Sequence, residues 1–138
     1  MLHSKITGVG MYVPEQVITN NDLSKLMDTT DEWITERTGI KERRFYKDGE
    51  DTVSSMGARA AEMALKRAGK KAADVDFIVF ATLSPDYHFP GSGVLLQRKL
   101  PFRNIGALDV RAQCSGFIYA LSVADQFIKA GMYKTILV

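Results

Sequence analysis

Between residues 51 and 138 the chain alternates helix-patterned and strand-patterned segments, and no other feature constrains the fold as strongly. "DTVSSMGARAAEMALKRAG" (51–69) has helical spacing: Val53, Met56, Ala60, Met63 and Ala64 line one side, and Arg59, Glu62 and Lys66 another. "DFIVFATLS" (76–84) is a continuous apolar run, as expected of a central parallel strand covered on both faces. "PGSGVLLQRKL" (90–100) reads as a helix opened by proline, and "NIGALDV" (104–110) as the next strand. A long apolar helix pattern then runs to about Gly131, and "KTILV" (134–138) is a last strand. Such alternation predicts an α/β fold with a mostly parallel, mixed sheet. The chain stops inside an apolar strand without a polar tail, which makes a piece of something larger the expectation.

The first fifty residues carry shorter patterns. "KITGVGMYVP" (5–14) alternates and ends at Pro14, so it predicts a first strand. "NNDLSKLM" (20–27) predicts a short helix capped by Asn20 or Asn21. "TTDEWITERTG" (29–39) predicts a second one, with Thr29 and Glu32 at capping-box spacing and Gly39 as the stop. "IKERRFY" (40–46) predicts a strand, its "KERR" segment a solvated basic face or an attraction for an acidic partner.

With 138 residues the chain is about one domain long, enough for a core without disulfides or metals. One cysteine excludes an internal disulfide, and with two histidines it argues against a zinc site. A net charge of +2 gives no argument for nucleic acid, and no apolar run reaches the length of a membrane span. "MLHSKITGVG" lacks the apolar stretch of a signal peptide, and thiol usage fits a reducing cytoplasm.

Cys114 stands where strand gives way to helix, next to Ser115 and Gly116. A lone cysteine is more often an inert core residue. At a helix N-terminus, however, amide N–H groups and the dipole stabilise a thiolate and lower the pKa to about 3.5–7.5. Phe117, Ile118, Tyr119, Ala120 and Leu121 predict a helix buried on all sides at its start, aimed at an acyl-accepting thiol. Trp33 and Arg37 are four apart and share a helix face. They suit a nucleotide, by stacking and forked hydrogen bonds, or form a surface cation–π pair without a ligand. Phe89 is a working loop aromatic or a core anchor. The glycines at 91 and 93 make no phosphate loop, "GVGMYV" fails as a dinucleotide fingerprint, and His3 and His88 read as structural or solvated.

Taken together, "GVGMYVPEQVITNNDL", "TTDEWITERTGI", "DTVSSMGARAAEMAL" and "CSGFIYALSVADQFIKAG" resemble β-ketoacyl-acyl carrier protein synthase III along the whole chain. The resemblance implies a thiolase-like fold of αβαβα layers, with residues 1–138 as its N-terminal domain carrying the nucleophile and the C-terminal half beyond this chain. It implies that Cys114 takes an acyl group from acyl-coenzyme A, and that malonyl-acyl carrier protein then loses carbon dioxide and attacks the thioester. It implies that Trp33 stacks on adenine, with Thr29 a nearby polar contact and Arg37 a phosphate or ribose contact. Phe89 is implied to shape the acyl pocket of a partner in a homodimer, and the Cys114 N–H to be half of an oxyanion hole. No permanent cofactor and no metal are implied. The family's histidine and asparagine fall beyond residue 138, and neither His3 nor His88 matches that histidine. "VRAQC" departs from acetyl-selective members, which have small residues before the cysteine, so the primer stays open. So do three rivals: loading of longer acyl chains in another pathway, a non-catalytic partner subunit or fragment, and a redox-sensing thiol.

Overall fold

The computed structural model describes residues 2–138, which fall into two compact units: one of residues up to Tyr12 together with Val53–Val138, the other of Val13–Thr52. The larger unit is built on a three-stranded parallel sheet of β3 (Phe77–Ala81), β4 (Gly106–Val110) and β5 (Ile136–Leu137), in the order β4-β3-β5. Around it lie α3 (Val53–Ala68), α4 (Ser92–Lys99) and α5 (Gly116–Lys129). β3 is central, as its unbroken apolar run predicts. Its neighbours Ile78 and Val79 point to opposite faces and are both 1% exposed, so both faces are covered. Burying each such side chain contributes about 1.5–3 kcal/mol.

The helices divide between the two faces. Gly57 of α3 and Gly93 of α4 lie against Phe80, whereas Gly116 of α5 lies against Ala81, one residue on. α5 also brings Phe127 to Phe77, with ring centroids 5.3 Å apart and nearly perpendicular, and Tyr133 stacks on Phe77 at 4.8 Å. β3 leads to α4 on one face and β4 leads to α5 on the other. Since β4 and β5 flank β3 on opposite sides, right-handed crossovers require this division.

Several expectations need correction. No strand forms over 5–14. Gly8 and Gly10 lie so close to α3 that a Cβ on either would come within 2.3 Å of the Ala64 carbonyl or 2.0 Å of the Ala60 carbonyl. Arg67 donates to the Val9 carbonyl at 2.9 Å, and Arg59 donates to the Tyr12 hydroxyl. The segment is therefore held by a helix surface instead of a strand neighbour. The buried stripe of α3 is Ser54, Ala58, Ala61 and Leu65, turned away from the predicted side, and Met63 is exposed. Small residues are needed where backbone packs on Ala60 and Ala64, which hydropathy spacing does not register. Pro90 precedes α4 instead of opening it, and Gly91 is the N-cap.

The smaller unit pairs β1 (Gln16–Thr19) antiparallel with β2 (Glu42–Phe45) and adds α1 (Asn20–Leu23) and α2 (Asp31–Thr38). Thr19, not Asn20 or Asn21, caps α1 in a reciprocal box with Asp22. Asn20 is freed for a buried role. It donates to Asp31 Oδ1 at 2.6 Å and to the Ile40 carbonyl at 2.8 Å, and accepts from Arg43 at 2.8 Å. "KERR" is thus only partly a solvated face, because Arg43 is half-buried and satisfies Asn20. Thr30, not Thr29, caps α2 by accepting from the Trp33 amide at 3.1 Å, which replaces the predicted Thr29–Glu32 box. Gly39 ends α2 as expected, at φ 69°.

Asp76 fixes β5 to the start of β3. Its carboxylate accepts from the amides of Thr135 (2.9 Å) and Lys134 (3.0 Å) and from Arg103 (3.0 Å). Partial burial pushes the carboxyl up, but these donors outweigh it and hold the group below its ordinary value. The folded-state stabilisation is therefore present above the unfolded value of about 3.9 and lost as pH falls through the lower folded value. Asp76→Asn is expected to cost about 1–3 kcal/mol at neutral pH. In urea titrations from pH 7 to pH 2, the gap between wild type and variant should close only below about pH 4; a gap independent of pH would contradict this role.

Candidate functional site

Two carboxylates organise the C-terminal ends of β3 and β4. Asp109, next to last in β4, accepts from the amides of Ser92 (2.7 Å) and Gly93 (2.9 Å), and so caps α4 from across the sheet end. Asp86 accepts from the Ser54 amide and hydroxyl (3.1 Å each) at the start of α3 and from the Ser92 hydroxyl at 2.8 Å. Ser54 and Ser92 are 1% and 0% exposed. Anions at helix N-termini satisfy orphan amides and complement the dipole. The glycines around Ser92 make this geometry possible. A Cβ at Gly91 or Gly93 would come within 2.6 or 2.8 Å of the Asp109 carboxylate, and at Gly93 also within 3.2 Å of Ala107 and 3.3 Å of Phe80. "PGSG" is a seat for a carboxylate of the same chain.

The loop after β3 leads to one face of the sheet and the loop after β4 to the other. Where adjacent parallel strands diverge this way, a crevice opens at their C-terminal ends, the usual ligand position in open α/β sheets. Cys114 stands at that divergence, in a 3₁₀ turn of Gln113–Ser115 that leads directly into α5. Gln113 holds φ 46°, a left-handed conformation costing about 1–3 kcal/mol for a residue with a side chain. Ala112's carbonyl accepts from the Ser115 amide (3.1 Å) and hydroxyl (2.8 Å), which tightens the turn. Ser115, the N-cap of α5, makes no side-chain cap hydrogen bond, and among the described residues no aspartate takes its place as Asp86 and Asp109 do at α3 and α4.

Cys114 is exposed, and Phe117, Ile118 and Tyr119 are 57%, 58% and 55% exposed. The start of α5 is open among the described residues, so the burial its apolar run calls for needs cover from outside them. Among the described residues Gly116, Ala120 and Ala124 form the covered side of α5, and none of the described elements covers the other. Phe89 is 91% exposed, and no described element takes it into a core.

In the smaller unit, the Arg37 guanidinium carbon lies 4.5 Å from the Trp33 ring centroid, and the indole is 53% exposed. The helix spacing thus produces the cation–π pair foreseen for it, worth about 0.5–1 kcal/mol at an exposed site. Thr29 Oγ1 is shielded and has no hydrogen-bond partner among the described residues. No group of three His, Cys, Asp or Glu among the described residues is arranged to hold a metal ion, and no described helix is long and apolar enough to cross a membrane. Sequence reasoning missed Asp86 and Asp109. A carboxylate in the otherwise apolar "GALDV" strand was the available signal, since such a group must be paired.

Comparison with known proteins follows the same segments. The family model for 3-oxoacyl-[acyl-carrier-protein] synthase III matches residues 108–138, the stretch holding Cys114 and α5. The β-ketoacyl-[acyl-carrier-protein] synthase III of Sulfurimonas denitrificans is 48% identical over 139 residues, covering all of this chain and 42% of the relative. The crystal structure of the synthase III from Aquifex aeolicus superposes with a TM-score of 0.91 at 49% identity, over 96% of this chain and 42% of that one. That from Thermus thermophilus superposes at 0.88 and 41% identity, over 96% and 41%. The fold is the thiolase-like one that the sequence resemblance implied, and the chain spans about two fifths of the length of the relatives it matches.

The seat for Asp109 yields a test. Gly93→Ala pushes a methyl into the carboxylate, Ala107 and Phe80 together, and overpacking of this kind costs about 1–3 kcal/mol. Denaturant unfolding should show that loss; an unchanged midpoint would mean that Asp109 does not hold α4.

Proposed function

We propose that this chain, matched along its whole length by the N-terminal part of β-ketoacyl-acyl carrier protein synthases III, carries the acyl-accepting centre of such an enzyme. The observation that supports the reading most is the contrast among three helices at one sheet end. Aspartates occupy the N-termini of α3 and α4, while no described side chain caps the N-terminus of α5, beside Cys114. The Ser115 and Gly116 amides bond back to the Ala112 and Gln113 carbonyls, so the donor offered to an oxyanion is the Cys114 N–H, beside the positive end of the helix dipole.

In the proposed reaction Cys114 Sγ attacks the thioester carbonyl of acyl-coenzyme A, and the Cys114 N–H serves as one donor to the developing oxyanion. The bond to the coenzyme sulfur breaks, the acyl group stays on Cys114, and the coenzyme leaves with the thiol proton. Malonyl-acyl carrier protein then loses carbon dioxide, and its carbanion attacks the acyl carbon and releases the Cys114 sulfur. The sequence resemblance assigns that decarboxylation to a histidine and an asparagine beyond residue 138, so the residues described here serve acyl transfer. Trp33 offers a stacking surface for adenine, Arg37 a cation for phosphate or ribose, and Thr29 a hydroxyl without a partner. Phe89, almost wholly exposed, is the residue proposed to reach a second subunit of a homodimer. Acyl-coenzyme A is a substrate in this scheme and no cofactor is held permanently. The proposed setting is the cytoplasm, in the initiation of fatty acid synthesis.

The test uses the longest form in which the protein is expressed. Incubation with acyl-coenzyme A should leave an acyl mass on the peptide bearing Cys114, and Cys114→Ala should abolish it. An adduct that persists in Cys114→Ala overturns the assignment. Trp33→Ala should raise KM for acyl-coenzyme A about tenfold while sparing small thioesters without the nucleotide. Equal losses with both substrates would make Trp33 structural.

A further inference from the structure

The three strands of the larger unit are parallel and start level with one another, because Phe77 of β3 pairs with Gly106 of β4 and with Ile136 of β5. The last turns of α3, α4 and α5, and the loops that follow them, therefore share the sheet end opposite Cys114. That end is basic. The last turns carry Lys66 and Arg67, Arg98 and Lys99, and Lys129. The loops add Lys70, Lys71, Arg103 and Lys134. Half of the 18 lysines and arginines thus gather at one end of a chain whose net charge is only +2. The carboxylates among them are engaged: Asp74 accepts from the Lys71 amide at 2.8 Å, Asp76 pairs with Arg103, and Asp125 pairs with Lys129 at 2.7 Å. Cations in a last helical turn complement the dipole, an effect that fades beyond that turn. Lys71, Arg103 and Lys134 lie past the helices and are exposed, so the dipole does not account for them.

Apolar side chains stand exposed among these charges. Met132 is 58% and Leu2 56% exposed, and Leu2 Cδ1 lies 3.8 Å from where a Cβ on Gly131, next to Met132, would stand. A cavity of about 510 Å³ opens at the same end, lined by Arg103 and Asn104 before β4, by Tyr133 and Lys134 before β5, and by Asp76. We infer that this sheet end docks on the surface of an anionic lipid bilayer. Loops that end on one level make a face, which suits a plane of negative charge. The cations meet lipid phosphates, and the cavity between Arg103 and Lys134 takes in a headgroup. Met132 and Leu2 enter the boundary between headgroups and acyl chains. A basic face alone suits any polyanion; the exposed methionine and leucine favour a bilayer over a nucleic acid or an acidic protein. Cys114, at the other end of the sheet, stays clear of the docked surface. The inference stands independently of the proposed acyl transfer.

The experiment is co-sedimentation of the longest expressed form with two kinds of vesicle, phosphatidylcholine alone and phosphatidylcholine with about one third phosphatidylglycerol. Wild type should bind the anionic vesicles, leave the neutral ones largely unbound, and come off as salt rises. Replacing Lys71, Lys99 and Lys134 together by glutamine should weaken binding about fivefold per cation, or about a hundredfold in all. Met132→Ser should weaken it about three- to tenfold. Thermal midpoints should agree with wild type, since all four side chains are exposed. A wild type that ignores the anionic vesicles overturns the inference. So does vesicle binding that survives the triple substitution, or Met132→Ser, undiminished. Binding of polyglutamate or duplex DNA with the vesicles left unbound gives the basic end to another partner and overturns it as well.

Discussion

The carboxylate of Asp109 joins a strand end to a helix start. By holding the Ser92 and Gly93 amides it fixes where α4 begins, and so where the loop after β3 must end. By standing next to last in β4 it also fixes where the segment toward Cys114 departs. Asp86 extends the same logic to α3 through Ser54 and Ser92. Buried hydrogen bonds of this kind are costly to break, because each loss strands a desolvated partner. The sheet end is therefore a frame on which a short, strained turn can be held.

This explains why strain and exposure coexist there. Gln113 in a left-handed conformation persists only where its surroundings over-determine it. Upstream, β4 is in register with β3 from Gly106 to Val110; downstream, Gly116 packs on Ala81 and Ala120 is fully buried. Between these fixed points the turn has little freedom, and Cys114 comes out exposed at the N-terminus of a helix that no described side chain caps. No aspartate stands at the start of α5 among the described residues, whereas aspartates hold the starts of α3 and α4.

The central strand, the order of helices and strands, the stop at Gly39 and the junction position of Cys114 were legible in sequence, because apolar runs, glycine and periodicity report directly on burial and turns. Contacts between distant segments were not. Gly8 and Gly10 read as part of a strand, yet they are glycines because α3 passes against them. Gly91 and Gly93 read as loop glycines, yet they leave room for a carboxylate sixteen or more residues away in sequence. Asn20 looked like a cap, but Thr19 precedes it with a shorter side chain better placed for that bond, and Asn20 turned inward to Asp31, Ile40 and Arg43. Trp33 and Arg37 were legible as neighbours because i,i+4 spacing on a helix is local geometry. The uncovered Phe117, Ile118 and Tyr119 show the converse: hydropathy reports a demand for cover and not where the cover lies.

The most direct measurement is the single-turnover rate of Cys114 acylation in Asp109→Asn, made with coenzyme affinity recorded alongside. Asparagine keeps the size of the side chain but turns one acceptor into a donor that faces the amides of α4. If the Asp109 frame holds the thiol in register, the rate should fall by roughly tenfold or more with affinity unchanged, since small misplacements of a nucleophile are costly. A variant that acylates at the wild-type rate would contradict the dependence of Cys114 on that frame.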